Sequence, residues 1–260
     1  MRSQYKIVLI GAGNVATHLG KQFIKSGHHI LQVYSRTEAS AQILSKKLKC
    51  PFTTDIKKVT KGADLYILAI KDDALEQVAK NISFNNNSLL VHLSGSTSMN
   101  VLKKASDNYG VFYPVQTFSK NKTISFKNIP LCIEANNQTS EKILFALATS
   151  ISNKVYEVDS KKRKILHLAA VFASNFSNHM YHIAENILQK EQLDLDILKP
   201  LISETAAKIK TQSPRIMQTG PAIREDKKII SEHIELLKDN KDFQEIYKLL
   251  TENIIKNKNK

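Results

Sequence analysis

The sequence predicts an α/β fold, a doubly wound sheet followed by an all-α C-terminal domain, and three observations point to it. Short continuous apolar runs alternate with helical stretches over the first hundred residues. A glycine-rich turn closes the first of those runs. Strand signal then stops near residue 158 and does not return.

The elements follow in order. "KIVLI" is an uninterrupted apolar run ended by glycine, the pattern of a strand buried on both faces. "VATHLGKQFIKSG" is helical and ends at a glycine suited to a helix C-terminus. "HHILQVYSR", "ADLYILAI" and "SLLVHLSGS" are further strands, separated by the helical "ASAQILSKKL" and "DALEQVAKNI". This alternation argues for a parallel sheet covered on both faces. "YGVFYPVQTF", "IPLCIEA" and "KVYEV" read as later strands, with "SEKILFALATSIS" a helix among them. Asp159 or Ser160 can cap a long helix through the His167–Leu188 region. Helical runs follow at "LDILKPLISETAAKIK", "EDKKIISEHIELLK" and "FQEIYKLLTENII". The expected domains are 1–157, a nucleotide-binding sheet, and 158–260, an all-helical domain for substrate and dimerisation.

Composition narrows the class. Of 260 residues, 42% are hydrophobic and 24% charged, as in an ordinary soluble globular protein. No apolar run approaches the roughly 20 residues that span a bilayer, and "YKIVLIGAG" is too short for a signal-peptide core. Cys50 and Cys132 make neither a disulfide framework nor a metal pair by spacing. A cytoplasmic location and no membrane partner are expected. The net charge of +14 raises nucleic acid as a partner, but the lysines are scattered and do not interleave with aromatics. No nucleic-acid partner is expected; a basic surface would help attract an anionic small molecule.

"LIGAGNVA" supplies Gly11, Gly13 and Ala16 in the order G-x-G-x-x-A. Gly11 allows the tight turn, Gly13 lets backbone approach a pyrophosphate, and Ala16 permits close helix–strand packing. The amides around Asn14 and Val15 then open a helix N-terminus onto phosphates. The pattern follows a buried strand and opens a helix, as a Rossmann dinucleotide site requires. The second strand ends "VYSRT", where an NAD site carries an acidic residue for the ribose 2′-hydroxyl. Ser35, Arg36 and Thr37 stand there instead, and arginine grips a 2′-phosphate that a carboxylate would repel. The expected cofactor is NADP(H); the alternative is that Arg36 is a plain surface residue. Lys71, Asp72 and Asp73 follow one strand, and His92, Ser94, Gly95 and Ser96 end another. Lys71 and Ser94 are expected near the cofactor. Asp72 or Asp73 reads more simply as a helix cap, and His92 as a core histidine.

"GAGNVATHLG", "HLSGS", "FYPVQTFSK", "LHLAAVFASNFSNHMY", "PLISET" and "QTGPAIRED" together resemble bacterial Rossmann-like proteins with a helical C-terminal domain of formerly unknown function, labelled NADP oxidoreductases. The chain is more distantly similar to pyrroline-5-carboxylate reductases, ketopantoate reductases and β-hydroxyacid dehydrogenases. The resemblance implies an N-terminal NADP domain, a helical substrate domain and a homodimer formed through the helices, with ketopantoate reduction to pantoate one specific form. One departure matters. β-Hydroxyacid dehydrogenases place a catalytic lysine on the first long helix of the second domain, with asparagine one turn later. Lys164 is followed four positions on by Leu168, so that mechanism does not carry over.

"HLAAVFASNFSNHMYHIAENIL" reads as a buried helix that nonetheless carries six hydrogen-bonding side chains, each costly to desolvate without a partner. At about 100° per residue, Ser174, Asn178, His182 and Asn175 fall roughly 20–80° from His167, with His179 at the edge. A polar stripe of this kind suits a site facing a nicotinamide. A structural histidine–asparagine network is the alternative, and a metal site from His167, His179 and His182 lacks a completing ligand. His167 is the expected proton donor, since imidazole titrates near neutrality, with Ser174, Asn175 and Asn178 holding substrate. Downstream, Glu204 and Lys208 have the spacing of a surface ion pair; with Thr205 they gain interest only from the resemblance. Gly220–Pro221 breaks a helix and could aim Thr219 and Arg224 into a cleft, Arg224 pairing with a substrate carboxylate; otherwise Arg224 bonds Glu225 or Asp226 in a plain turn. The expected activity is NADPH-dependent reduction of a small carbonyl or imine acid. A non-catalytic NADP(H)-binding sensor is the competing class.

Overall fold

The computed structural model describes residues 4–85, 87–119, 122 and 124–258. It divides into two compact units, 1–175 and 176–260.

The first unit is built on an eight-stranded sheet. Its strands are β1 (Lys6–Ile10), β2 (His29–Tyr34), β3 (Phe52–Thr53), β4 (Leu65–Leu68), β5 (Leu89–His92), β6 (Tyr109–Pro114), β7 (Leu131–Ala135) and β8 (Val155–Glu157), in the order β3-β2-β1-β4-β5-β6-β7-β8. All neighbours pair in parallel except β6 with β7. Every strand expected from sequence is present; two-residue β3 is too short to leave a pattern. The inner strands are mostly apolar because helices cover both faces. Ile7 and Leu9 pack into one core with Leu19, Phe23, Phe112 and Leu144. Val8 and Ile10 alternate to the other face, against Tyr66, Leu75, Leu90 and Leu102. The helices are α1 (Asn14–Lys25), α2 (Glu38–Leu48), α3 (Leu75–Asn81), α4 (Gln138–Thr149) and α5 (Ser160–Ala170). The strand order reverses between β1 and β4, which places the ligand crevice of such a sheet at their carboxyl ends.

The helical domain is expected to begin at residue 158, where the strands do end. The packing boundary instead falls after Asn175, so α5 belongs with the sheet. The reason is a buried charge. Asp159 caps α5 by accepting the Lys162 amide at 2.8 Å. Ser160 donates its amide and hydroxyl to the two oxygens of Glu134 on β7, at 2.8 and 2.7 Å. Arg163, fully buried, pairs with the same carboxylate and donates to the Thr97 carbonyl at 2.6 Å. A buried guanidinium is tolerated only with such partners, so the first turn of α5 is held to β7 and to the loop after β5.

The second unit contains α6 (Ser177–Lys190), α7 (Lys199–Lys208), the single turn α8 (Pro221–Arg224), α9 (Lys227–Leu236) and α10 (Lys241–Asn257). Two expectations for the His167–Leu188 stretch are corrected. It is not buried within one chain: Leu168 is 53% and Phe172 62% exposed. Nor is it uniformly α-helical, because Val171–Phe176 is a π-helical segment. Its wider i→i+5 turn breaks the even 100° spacing that groups Ser174, Asn175, Asn178 and His182 with His167.

Replacing Arg163 by alanine leaves the Glu134 carboxylate partly buried without its cation. Urea denaturation is expected to register a loss of about 3–5 kcal/mol; a loss below about 1 kcal/mol would show that this pair does not anchor the helix.

Candidate active site at the carboxyl edge of the sheet

The glycine turn forms as its sequence requires. Gly11 has φ of +118°, a backbone conformation that disfavours any side chain, and a Cβ there would lie 2.2 Å from the Ala69 carbonyl oxygen beyond β4. Gly13 caps α1 in extended conformation, with no side chain bonded to the helix end and open space where a Cβ would stand. The first-turn amides of α1, around Asn14 and Val15, are therefore left for an anion. Asn14 itself faces elsewhere, donating to the Phe118 carbonyl at 2.8 Å. Alongside lies a cavity of about 650 Å³ whose walls include Gly11, Ser35, Arg36, Thr37 and Lys71. Arg36 is exposed, and among the described residues no carboxylate pairs with it. Thr37 occupies the N-cap of α2 without using its side chain there. An open arginine, two hydroxyls and a helix N-terminus around one cavity fit a phosphorylated dinucleotide.

A second cluster continues along the same edge. Ser94 and Ser96 both donate to one oxygen of Asp72, each at 2.6 Å, joining the loop after β5 to the loop after β4. Ser94 also accepts the Ser96 and Thr97 amides at 3.2 and 2.9 Å. The Ser94 hydroxyl is thus spent on building the loop, whereas Ser96 is exposed. Partial burial works against ionisation of Asp72, but hydrogen bonds from Ser94, Ser96 and Thr97 and the nearby His92 outweigh it and lower its pKa. His92 is fully buried at the end of β5 and accepts the Ser94 amide at Nδ1, 3.1 Å away. Burial first, then the charge of Arg163, drives its pKa down to about 4. It is a neutral core histidine.

His167 arrives from α5, one turn beyond Arg163. Its Nδ1 lies 3.2 Å from the Tyr113 hydroxyl on β6, with the rings edge-on at 6.1 Å. Both rings press on Gly95, where an added Cβ would come within 2.7 Å of His167 Nδ1 and of the Tyr113 ring. Only glycine leaves room for them. The carboxyl ends of β1, β4, β5 and β6 therefore present, in spatial order, Gly11, Ala69 to Asp72, Ser94 to Ser96, and the Tyr113–His167 pair. Adjacent strands are roughly 4.8 Å apart, so β5 stands roughly 10 Å from the glycine turn.

The remaining expected site residues divide between the units. Ser174 and Asn175 lie in the π-helical segment at the end of the first unit. Asn178, Thr219 and Arg224 belong to the second and are described within it. Asn178 and Thr219 are exposed. Gly220 and Pro221 do break the chain before α8, and Arg224 is exposed; Glu225 pairs with Lys258 and Asp226 caps α9, so neither holds Arg224. Glu204 and Lys208 form an exposed ion pair of 3.4 Å, the plain reading of their spacing. His182 is engaged by Asn186 and Glu185. Sequence reasoning missed Tyr113, and it named Gly95 only among the residues that end β5, not as the position that receives two rings. Both lie inside quoted motifs, "FYPVQTFSK" and "HLSGS", but neither carries a charge or a spacing that marks it.

Residues 6–94 match the family described as NADP oxidoreductase coenzyme F420-dependent, and residues 129–254 match a domain of unknown function, DUF2520. A candidate NADP oxidoreductase from Bacteroides fragilis, solved by crystallography, is 46% identical over 98% of this chain and 99% of its own, with a TM-score of 0.94. A pyrroline-5-carboxylate reductase from Streptococcus pyogenes shares the fold at 17% identity, covering 98% of both chains with a TM-score of 0.62. A glycerol-3-phosphate dehydrogenase [NAD(P)+] from Limosilactobacillus reuteri is 26% identical over 120 residues, 39% of this chain; the match spans only 35% of that protein's length. With its glycine turn, its open arginine and near full-length similarity to the Bacteroides protein, the chain belongs to the NADP-dependent oxidoreductases that join this N-terminal NADP domain to a DUF2520 domain.

Proposed function

We propose that the protein reduces a small carbonyl or imine acid with NADPH, and that His167 delivers the proton. One observation carries this reading: a half-exposed imidazole is held against the loop after β5, on the strand edge that also carries the dinucleotide turn. NADPH, when bound, supplies the hydride. Gly11, Gly13 and the α1 amides at Asn14 and Val15 hold its phosphates, Ser35, Arg36 and Thr37 its 2′-phosphate, and Lys71 and the Ser94 loop the ribose side. His167 then protonates the oxygen or nitrogen that becomes basic as its carbon is reduced. Ser174 and Asn175, in the same unit as His167, are proposed to bind the substrate. The strong basic excess of the chain favours an anionic substrate. A homodimer through the helical domain is part of the same proposal. Among the described residues of the second unit only Ile183, Thr251 and Ala222 are buried, while Ile197 and Leu201 are each 62% exposed and Leu236 78%. An apolar surface of that extent calls for a covering partner.

A turnover screen with NADPH and a panel of 2-keto and imino acids tests the reaction; ketopantoate is one panel member, and no residue described here selects it. His167→Ala is expected to lower kcat by about 10²–10⁴ while NADPH affinity holds; unchanged turnover would put the donor elsewhere. Arg36→Ala is expected to weaken NADPH about 10–100-fold and to leave NADH nearly unaffected, measured by fluorescence titration. Equal losses for both nucleotides would undo the phosphate assignment. Sedimentation is expected to give a dimer that Leu201→Asp dissociates; a monomeric parent chain would remove the dimer from the proposal.

A further inference from the structure

We propose that Tyr113 is a positioning residue that completes a two-member proton relay, donating its hydroxyl hydrogen to His167 Nδ1 as His167 Nε2 gives its own proton to the substrate. This rests on the reading of His167 as the proton donor and assigns that residue its tautomer.

A neutral imidazole has one N–H and one bare nitrogen, and the hydrogen bond at one ring atom selects which is which. Here the bond joins Nδ1 to the Tyr113 hydroxyl. Among the described residues the phenol has no other hydrogen-bond partner. Were Nδ1 protonated, the phenol would accept from it, and its own O–H would be left without a protein acceptor in a half-buried position. Donation from Tyr113 to Nδ1 satisfies both groups and puts the imidazole hydrogen on Nε2. Among the described residues Nε2 has no partner, so it is the atom available to a ligand.

The relay solves a chemical difficulty. A neutral imidazole that gives up its only proton becomes an imidazolate, a very strong base. If the Nε2–H bond breaks as the substrate O–H or N–H bond forms, and Nδ1 takes the Tyr113 hydrogen, the ring remains neutral. The negative charge ends on the phenol oxygen, which regains a proton from solvent. The titratable neighbours are Cys132 on β7, paired opposite Tyr113, and Arg163 one turn back on α5, whose charge Glu134 meets. Asp72 is tied to Ser94 and Ser96. Burial first, then Cys132, raises the Tyr113 pKa against the opposing charge of Arg163, so the phenol starts protonated at neutral pH.

The relay predicts a pH signature. An imidazolium donates without help, whereas a neutral imidazole sustains proton delivery only through the relay. Tyr113→Phe should therefore keep near-normal kcat at acid pH and lose about tenfold per pH unit on the alkaline limb, while KM and NADPH binding stay level. A phenol that merely packs would shift no limb of this profile. Independently of turnover, ¹⁵N chemical shifts of His167 in the parent protein should report the Nε2–H tautomer at alkaline pH, and Tyr113→Phe should lose that preference. An Nδ1–H tautomer in the parent, or an unchanged pH profile in the variant, overturns the relay. If His167→Ala abolishes turnover while Tyr113→Phe keeps the parent profile, the relay fails and the donor assignment stands. If His167→Ala is fully active, the donor assignment fails and takes the relay with it. Should Tyr113→Phe not fold, the tautomer of the parent protein decides alone.

Discussion

The ion pair between Arg163 and Glu134 is the constraint on which the site depends. A guanidinium buried this fully has lost its water, and it persists because a carboxylate, a carbonyl and a serine hydroxyl take the place of that water at its two terminal nitrogens. Those partners lie on β7, on the loop after β5 and on the helix itself. The pair therefore fixes α5 in position and direction against the sheet. His167 lies one helical turn on, roughly 6 Å along the axis. Where Arg163 is held, His167 must reach Gly95, and Gly95 must be glycine to receive it.

The polar residues along the carboxyl edge divide into those that build and those left open. Ser94 bonds Asp72 and accepts the turn amides, and His92 accepts the Ser94 amide at Nδ1, so these groups shape the loop. Arg36 and the α1 amides project from that framework toward solvent. An anion thus meets donors that the fold has already oriented, and little of its binding energy goes into arranging them. The depressed pKa of His92 follows the same division, since a neutral ring costs the core less than a charged one would.

The helical unit shows what hydropathy reports and what it omits. Its apolar residues recur at helical spacing and read as core, yet within one chain Ile197, Leu201 and Leu236 face solvent. Periodicity shows that a face is apolar. It does not say whether the cover comes from the same chain, another copy or something else. The π-helical segment was equally invisible, because a single wider turn leaves no compositional mark and changes only the phase of the residues beyond it.

By itself the sequence determined the alternating sheet, the dinucleotide turn, the absence of an acidic residue after β2 and the helical C-terminal half. Each of these is local: a run of apolar residues, a glycine that alone tolerates its backbone angle, a side chain a few positions past a strand. Only the tertiary structure decided that α5 belongs with the sheet, that Ser94 and Ser96 both bond Asp72, and that Tyr113 meets His167 across 54 positions. Those outcomes turn on which groups compete for one buried carboxylate or one loop amide, and that competition exists only once distant segments are packed together.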